Sequence, residues 1–476
     1  MQTFKVMQKQ SSIYLQLRRF RRRLKSKEKI KKNRIRRHER RVVEKNLRQQ
    51  GASITTLDAA YKEFLPRNIK YLLEESSSPF NISKLTRQKY DSKKTLVVPK
   101  EFSIIDNPEE SYEFLRQLLS VFYYQECDEI SIDYKDCDRL DLLTQIVLDA
   151  ILLDISQFLE VSSILGLGKL INVTQLSGHY QGKEQLKKII NSVGSPVVLL
   201  NRKANYKNVL SYNLRCLDGL QARNKVDAQQ EYDATTLLQY VNRCLSRLNK
   251  SLSRDALREL GNIIGETIIN AEEHSSLRFR YLVGYFEETE DQAGSHFGIL
   301  NLAIFNFGQS IYEKFKNPIV PINEKAKESM QALSSLFIKK GFLRRNDFTE
   351  ETLWTLYALQ GGVTSVPNQK RGDGTIRFLD SFFRVKGDSA VDNESHLYLL
   401  SGWTRIDFDG TYKPIVQKDK NGDVREIISF NESGSFEEKP DPSYVKSTDS
   451  YFPGTAIFAK LRIDDKDIIP SNEEKK

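Results

Sequence analysis

The sequence predicts an α/β protein with a basic helical tail, a smaller α/β domain and a larger α/β domain in its C-terminal half. Three observations predict it. The 476 residues suffice for two or three domains at roughly 100–200 residues each. From Val97 onward, strand-like alternation and helix-like spacing of apolar residues interleave. The charge is also segregated. Residues 1–50 hold nineteen Lys and Arg against three Glu, a net +16, so the remaining residues carry −6 of the total +10.

The 39% hydrophobic content supports ordinary globular cores. No window of about 18 unbroken apolar residues occurs, so no membrane span is expected. No apolar run of 7–15 residues follows the basic N-terminus, so no secretory signal is expected. Cys127, Cys137, Cys216 and Cys244 form no CxxC pair and read as core or incidental thiols. Scattered cysteines without a targeting segment fit a reducing cytoplasm.

Residues 1–50 form the basic tail, dominated by the run from Arg18 to Arg41. Its cations include Arg18, Arg19, Arg21, Arg22, Arg23, Lys31, Lys32, Arg36 and Arg37. The absence of Pro and Gly from the run permits a helix. Leu15, Leu17, Phe20, Leu24, Ile30 and Ile35 are too sparse for a core stripe, and like-charge repulsion favours an extended or frayed helix until an anion binds. Three readings stand side by side. They are a solvated extension, a contact with DNA or RNA phosphates that releases counterions, and an acidic membrane surface or acidic protein partner. With Tyr14 and Phe20 the only aromatics near the basic run and Phe4 the only other one in residues 1–50, backbone contact is favoured over base stacking.

Residues 51–97 read as a connector, with helical spacing from Leu57 to Leu73 broken by Glu75-Ser76-Ser77-Ser78-Pro79. Residues 98–230 read as α/β. Strands are expected at Val97–Ile105, Glu129–Tyr134 and Pro196–Leu200, and helices at Glu110–Tyr124 and Leu140–Phe158. The order strand, short loop, Asp141, helix over Glu129–Leu153 resembles a STAS domain; a generic α/β interaction domain is the alternative. Phosphorylated STAS proteins carry Ser-Ser-Gly after the Asp. Here Leu142-Leu143-Thr144 follows, and the acceptor hydroxyl is missing at the matching positions.

The segment Glu266-Thr-Ile-Ile-Asn270-Ala271-Glu272-Glu273-His274 carries the strongest chemistry. At about 100° per residue, Glu259, Asn262, Glu266, Asn270, Glu273 and His274 share one helix face. Leu257, Leu260, Ile264, Ile268 and Ala271 lie opposite. The apolar stripe is expected to pack on a sheet, and the polar stripe to line a pocket or face water. An ordinary amphipathic surface helix has the same pattern. Three further elements follow. Leu300–Ile311 is an apolar strand running into a turn at Gly308. Arg371-Gly372-Asp373-Gly374-Thr375 is a glycine turn ahead of apolar Ile376, Phe378 and Leu379. Phe452–Phe458 enters a last strand that continues to Leu461.

In order and spacing these four elements resemble the N-box, G1 box, G2 box and late Gly-Thr segment of GHKL ATPases, the superfamily of gyrase, histidine kinases and their relatives. The resemblance covers Asp233 to Asp465, so an ATP-binding domain is expected over residues 233–470. It implies an α/β sandwich, a mixed and mostly antiparallel sheet with helices on one face. It also implies ATP and Mg²⁺ as ligands. Asn270 would be the magnesium ligand, as suits a hard cation that prefers oxygen, and Glu266 the general base one turn earlier. Asn306 stands where the family has an Asp that accepts a bond from the adenine amino group; its amide oxygen can accept that bond but is free to flip. Gly308 belongs to the same turn, and Ser310 replaces the family's second Gly. Arg371, Gly372, Gly374 and Thr375 would cradle the phosphates, with Gly361–Ser365 upstream of them. Thr455 would bond to a phosphate or to the N-box. Phe307–Arg371 would be the lid over ATP, Leu397–Asp407 the neighbouring strand, and Gly410–Ser450 a polar surface insertion.

The expected function is that of a Mg-dependent ATPase whose lid ordering regulates a partner, with nucleic acid held through residues 18–41 as the candidate; a homodimer stays open. A protein kinase acting in trans is the alternative. A histidine kinase would need an acceptor His on a dimerising helix; of His38, His179, His274, His296 and His396, His38 is followed by Glu39 but sits in a charge-dense run without a dimerising apolar stripe. A non-catalytic nucleic-acid-binding adaptor with a degenerate ATP site is the third reading.

Overall fold

Two principal sheets, one parallel and one antiparallel, organise the chain in a computed structural model. It describes residues 65–87, 92–125, 127–165, 173, 175–179, 183–193, 206–273, 275–290, 294, 296–319, 321–338, 348–361, 363, 376, 394–418 and 424–464. The basic tail and the strand expected at Pro196–Leu200 lie outside these residues. The chain divides into two units, residues 1–205 with 213–215 and residues 206–212 with 216–476.

The first unit contains α1 (Arg67–Glu74), β1 (Lys93–Val97), β2 (Glu101–Phe102), α2 (Pro108–Tyr124), β3 (Glu129–Asp133), β4 (Arg139–Leu140), α3 (Leu142–Leu165), β5 (Gln175–His179) and α4 (Glu184–Val193). β1, β3 and β5 form a parallel sheet in that order, and β2 pairs with β4. The connector reading of 51–97 is corrected here. β1 falls inside that range and is a sheet strand, and α1 buries Ile69, Leu72 and Leu73. The strand expected over Val97–Ile105 divides into β1 and β2 around Pro99, which has no N–H to give a ladder.

α2 begins with Pro108 at its first turn, followed by Glu109 and Glu110, which suit the positive end of the helix. α3 buries Leu143, Ile146, Val147, Ala150 and Leu153. Its segment Leu142–Ser162 is long and apolar enough to cross a membrane, but most of it is buried inside the protein, as in a core helix. Asp141 precedes α3 and accepts the Thr144 N–H at 2.7 Å and the Thr144 hydroxyl at 2.6 Å. Burial pushes the Asp141 carboxyl up to about 6. The Thr144 hydroxyl also accepts the Ile104 N–H at 2.7 Å and is wholly buried. Asp141 is thus a helix cap, and Thr144 is committed to the fold.

The second unit contains β6 (Val209–Asp218), α5 (Arg223–Arg247), α6 (Arg254–Glu273), β7 (Phe279–Glu290), β8 (His296–Phe307), α7 (Ile311–Lys316), α8 (Glu324–Ile338), α9 (Glu350–Ala358), β9 (His396–Phe408), β10 (Ile415–Lys418), β11 (Val424–Ile427) and β12 (Val445–Asp464). The sheet order is β6-β7-β8-β12-β9. The pairs β7–β8, β8–β12 and β12–β9 are antiparallel. β6 also runs antiparallel to β7, since Gly219 N–H reaches Arg278 O at one end and Glu288 N–H reaches Asn208 O at the other. The expected mixed sheet is therefore antiparallel among the described strands. The unit also starts before 233, because β6 is its edge strand and α5 begins at Arg223.

One sheet face carries Leu282, Phe286, Leu300, Leu302, Ile304, Leu397, Leu399, Ala459 and Leu461. Leu237, Tyr240 and Val241 of α5, Leu260, Ile264 and Ile268 of α6, and Leu353 and Leu356 of α9 share its core. On the opposite face Tyr281 stacks on Phe305 at 4.7 Å between ring centroids. A wholly buried ion pair ties α5 to the sheet, with Arg280 Nη2 on Asp233 Oδ2 at 2.9 Å. Gln229 Nε2 donates to the other Asp233 oxygen at 2.7 Å. Removing either charge strands the other in the core, at a cost on the order of 3–5 kcal/mol.

Phe307–Arg371, expected as a lid, contains α7, α8 and α9. Their Phe315, Ala326, Met330 and Trp354 form a separate small core, and Trp354 Nε1 donates to Ser334 Oγ at 3.1 Å. The insertion at Gly410–Ser450 holds the β10–β11 hairpin, but it is more than a polar surface loop. Ile428 and Phe430 join the main core, and the Gln360 amide pairs with Ile428 N–H at 2.8 Å and Ile428 O at 3.2 Å.

Candidate functional site

α6 is started by Ser253, whose hydroxyl accepts the Ala256 N–H at 3.2 Å. Its apolar stripe enters the core as the spacing requires, with Leu260, Ile264 and Ile268 buried. Glu259, Asn262 and Glu266 are exposed, and Asn270 is half-buried. Asn262, Glu266 and Asn270 make no side-chain hydrogen bond or ion pair among the described residues. A cavity of about 450 Å³ is lined, in its described part, by Glu259, Gly261, Asn262, Ile263, Gly265, Glu266 and Ile269. Glu266 therefore opens into it. Asn270, one turn further on, is not among the lining residues.

Asn306 is next to last in β8 and is 4% exposed. Its amide Nδ2 donates to the Ala271 carbonyl of α6 at 2.8 Å. That carbonyl lies in the last turn of the helix, where carbonyls lack an intrahelical partner. The bond settles which way the amide faces, because a flipped Asn would set oxygen against oxygen. The Oδ1 atom is left as an acceptor with no partner among the described residues. In the sheet register Asn306 lies opposite Thr455, and Thr455 lies opposite Ser401. The three side chains thus form a row across β8, β12 and β9 on the helix-covered face. Thr455 Oγ1 and Ser401 Oγ are 3.0 Å apart.

Gly308 follows with φ +135°, a conformation that disfavours other residues. A Cβ there would come within 2.6 Å of Ser276 Oγ. The loop after α6 packs on this turn, with Ser275 Oγ donating to Phe307 O at 2.8 Å and Gln309 N–H to Ser276 Oγ at 2.9 Å. Gly308 is thus required for the close approach of the helix end. Ser310 is the N-cap of α7. Its hydroxyl accepts the Glu313 N–H at 3.1 Å, and Glu313 Oε2 accepts the Ser310 N–H at 2.8 Å, a reciprocal capping box. The Ile311 N–H bonds to Ser401 Oγ at 2.8 Å, so α7 is tied to the same row.

Glu351 of α9 reaches the other side of this tie. Its Oε1 accepts the Trp403 N–H at 2.9 Å and lies 2.0 Å from where a Cβ on Gly402 would be, a position held at φ +59°. Burial, followed in effect by the Glu313 charge, pushes the Glu351 carboxyl up to about 7, against the lowering effect of the Trp403 bond.

Glu266, Asn270, Asn306, Gly308 and Thr455 are therefore carried by three neighbouring elements, α6, β8 with its following turn, and β12. Arg371, Gly372, Gly374, Thr375 and His274 lie outside the described residues, as do the tail cations. Ser401 and Glu351 escaped the sequence reading, because a lone Ser or Glu in an apolar strand or helix carries no positional signal. Ser310 did carry one: Ser-x-x-Glu313 is a capping-box pattern. Among the described residues no group of three or more His, Cys, Asp and Glu is placed to hold a metal ion, and the four cysteines are free thiols. No family model matches the chain, and no curated protein or solved structure is found similar to it.

The Glu351 shift has a direction that melting curves read. The folded state keeps this proton up to about pH 7, whereas the unfolded chain releases it near the ordinary Glu value. Stability from this group is therefore greatest below the unfolded value and declines as pH rises toward 7. Glu351→Gln keeps the oxygen that receives the Trp403 N–H. Its melting temperature is expected to fall less than that of the wild type between pH 5 and pH 8; parallel curves would refute the assignment.

Proposed function

We propose that the second unit binds ATP with magnesium and hydrolyses it, in the manner of a GHKL ATPase. The observation that carries the reading is Asn306, buried with its NH₂ held by the Ala271 carbonyl and its oxygen unpaired among the described residues. Such a group suits an exocyclic amino group, and the neighbouring Thr455 hydroxyl adds a second polar contact along the base edge. The polar face of α6 begins beside this point. The Asn270 amide supplies a neutral oxygen of the kind a magnesium ion accepts. Glu266 lies one turn earlier, about 5–6 Å away between Cβ atoms, and is exposed to a cavity where it can take a proton from water. Bound magnesium would neutralise phosphate charge. Arg371, Gly372, Gly374 and Thr375 are assigned to the phosphates on the sequence pattern alone.

The antiparallel sheet with helices α5, α6 and α9 on one face supports the same reading. So does the direct tie of α7 to the Asn306–Thr455–Ser401 row, which gives a bound base a route to the helices of the lid segment. The charge split of +16 on residues 1–50 against −6 elsewhere favours a nucleic acid as the partner of the switch. Deleting residues 1–50 is then expected to abolish salt-sensitive binding to a duplex in an anisotropy titration; undiminished binding would remove the tail from the account.

Calorimetry with Mg-ATP on the full chain tests the nucleotide site. The wild type is expected to bind only with magnesium present, and Asn270→Ala to weaken binding by roughly tenfold or more, about 1.4 kcal/mol. Glu266→Ala is expected to retain binding and lose turnover by about 10²–10⁴-fold. A folded wild type with no affinity for Mg-ATP would overturn the proposal.

A further inference from the structure

Two carboxyl groups from different helices meet at one point of β9. The pairing of β9 with β12 slips between Phe452 and Thr455, opposite Gly402 and Ser401. Gly402 stands there at φ +59°. A Cβ on it would come 2.0 Å from Glu351 Oε1 of α9 and 3.0 Å from Cβ of Ser310, the N-cap of α7. Glycine leaves room for both helices. Glu351 Oε1 accepts the N–H of the next residue, Trp403, at 2.9 Å. Glu313 of α7 lies close enough for its charge to act on Glu351. Its Oε2 accepts the Ser310 N–H at 2.8 Å, and its Oε1 accepts the Tyr451 hydroxyl at 2.8 Å.

Both Glu313 oxygens are thus in use as acceptors. Glu351 has one oxygen on Trp403 and a second that can carry a proton. A carboxyl in the first turn of a helix ordinarily gains from being charged. At Glu351 burial outweighs this gain and the Glu313 charge adds to it, so the proton is kept up to about 7. Other ionisable groups around α9 are engaged elsewhere. On α7, Tyr312 and Lys316 are bound to Glu350. Arg405 of β9 and Lys446 of β12 are bound to Asp407. The charge that acts on Glu351 is that of Glu313, not those of Glu324, Lys325, Lys327 and Glu328 on α8. Lys314 of α7 remains, its amine brought down to about 7 by burial.

We propose that Glu351 and Glu313 form a proton-operated clasp: a proton on Glu351 fastens the first turn of α9 to β9, and loss of that proton to water releases it. With the proton gone, two like charges face each other beside Gly402, one of them partly shielded from water. Turning Glu351 outward relieves both costs and gives up the Trp403 bond. The fastened state holds its proton up to about 7, whereas a released Glu351 loses it near the ordinary Glu value. Fastening is therefore strongest at low pH, weakens as pH rises between those two values, and weakens no further above about 7. The apolar contacts of Leu353, Trp354 and Leu356 stay in place, so the release is local to the start of the helix. Because α9 belongs to the segment Phe307–Arg371, the clasp sets how firmly that segment sits on the sheet. It does not rest on the nucleotide reading.

The chain has two tryptophans, and both stand at the clasp, Trp354 in α9 and Trp403 beside Gly402. Tryptophan fluorescence of the full chain between pH 5 and pH 8 therefore reads it, with far-UV circular dichroism followed in parallel. Wild type is expected to show a reversible change in emission with a midpoint no higher than about 7, at constant circular dichroism. Glu351→Gln keeps the oxygen that receives the Trp403 N–H and cannot ionise, so its emission is expected to stay flat. Glu313→Gln can still close the capping box but lacks the repelling charge, and should weaken the change or move it to higher pH. Lys314→Met should behave as wild type. An unchanging wild type overturns the clasp even if a variant fails to fold. So does a Glu351→Gln variant that keeps the wild-type change, a change lost in Lys314→Met, or a change in emission that runs with a loss of circular dichroism. A Glu313→Gln variant that titrates like wild type overturns the part given to Glu313.

Discussion

The hydrogen bond from Asn306 Nδ2 to the Ala271 carbonyl, 2.8 Å long, joins the last turn of α6 to the end of β8, and the candidate site depends on it. A helix terminus leaves carbonyls without partners, and a buried amide must have its donors met. Each group answers the need of the other. The bond also does what neither element does alone, which is to give the Asn306 side chain a direction. A carboxylate at the same position would face the Ala271 oxygen at hydrogen-bonding distance and repel it. The choice of Asn over Asp therefore follows from the way this helix ends. The loop after the helix repeats the connection, with Ser275 bound to Phe307 O and Ser276 to Gln309 N–H.

From this junction a line of short-range contacts leads outward. Asn306, Thr455 and Ser401 lie side by side on three strands, Ser401 receives the first N–H of α7, and Ser310 and Glu313 cap that helix reciprocally. Tyr451 of β12 donates its hydroxyl to Glu313 Oε1 at 2.8 Å. Glu351 then fastens α9 to β9 through the Trp403 N–H. In the proposed function, a base seated against Asn306 would be sensed by α7 and α9 through side chains that are already in place.

The sequence was most legible where periodicity determines burial. The two stripes of α6 and the helix expected at Glu110–Tyr124, which starts at Pro108, follow from spacing, while the strand expected at Leu397–Asp407 from the resemblance is found at His396–Phe408. The parts that were not legible depend on tertiary partners. Nothing local to Asn306 tells that its NH₂ group meets Ala271. The apparent loss of a glycine at Ser310 is the gain of a helix cap. Nothing local to Asp141, placed in the STAS-like order by the sequence, tells that Ile104 N–H also meets the Thr144 hydroxyl that its carboxylate holds. Ile428 and Phe430 sit in a polar-looking insertion but complete the core, because Gln360 satisfies the Ile428 backbone. The connector of 51–97 hid β1 since a short strand with Lys93, Thr95 and Val97 exposed and only Leu96 buried resembles a loop in composition.

The central claim is that the direction of one locked amide selects the base. Equilibrium binding of Mg-ATP and Mg-GTP to the full chain, measured under identical conditions, tests it most directly. With the Asn306 oxygen held outward, ATP is expected to bind on the order of a hundredfold more tightly, about 2.7 kcal/mol, since guanine would oppose oxygen to oxygen and leave both unpaired. Equal affinities for the two nucleotides, or a preference for GTP, would contradict the account.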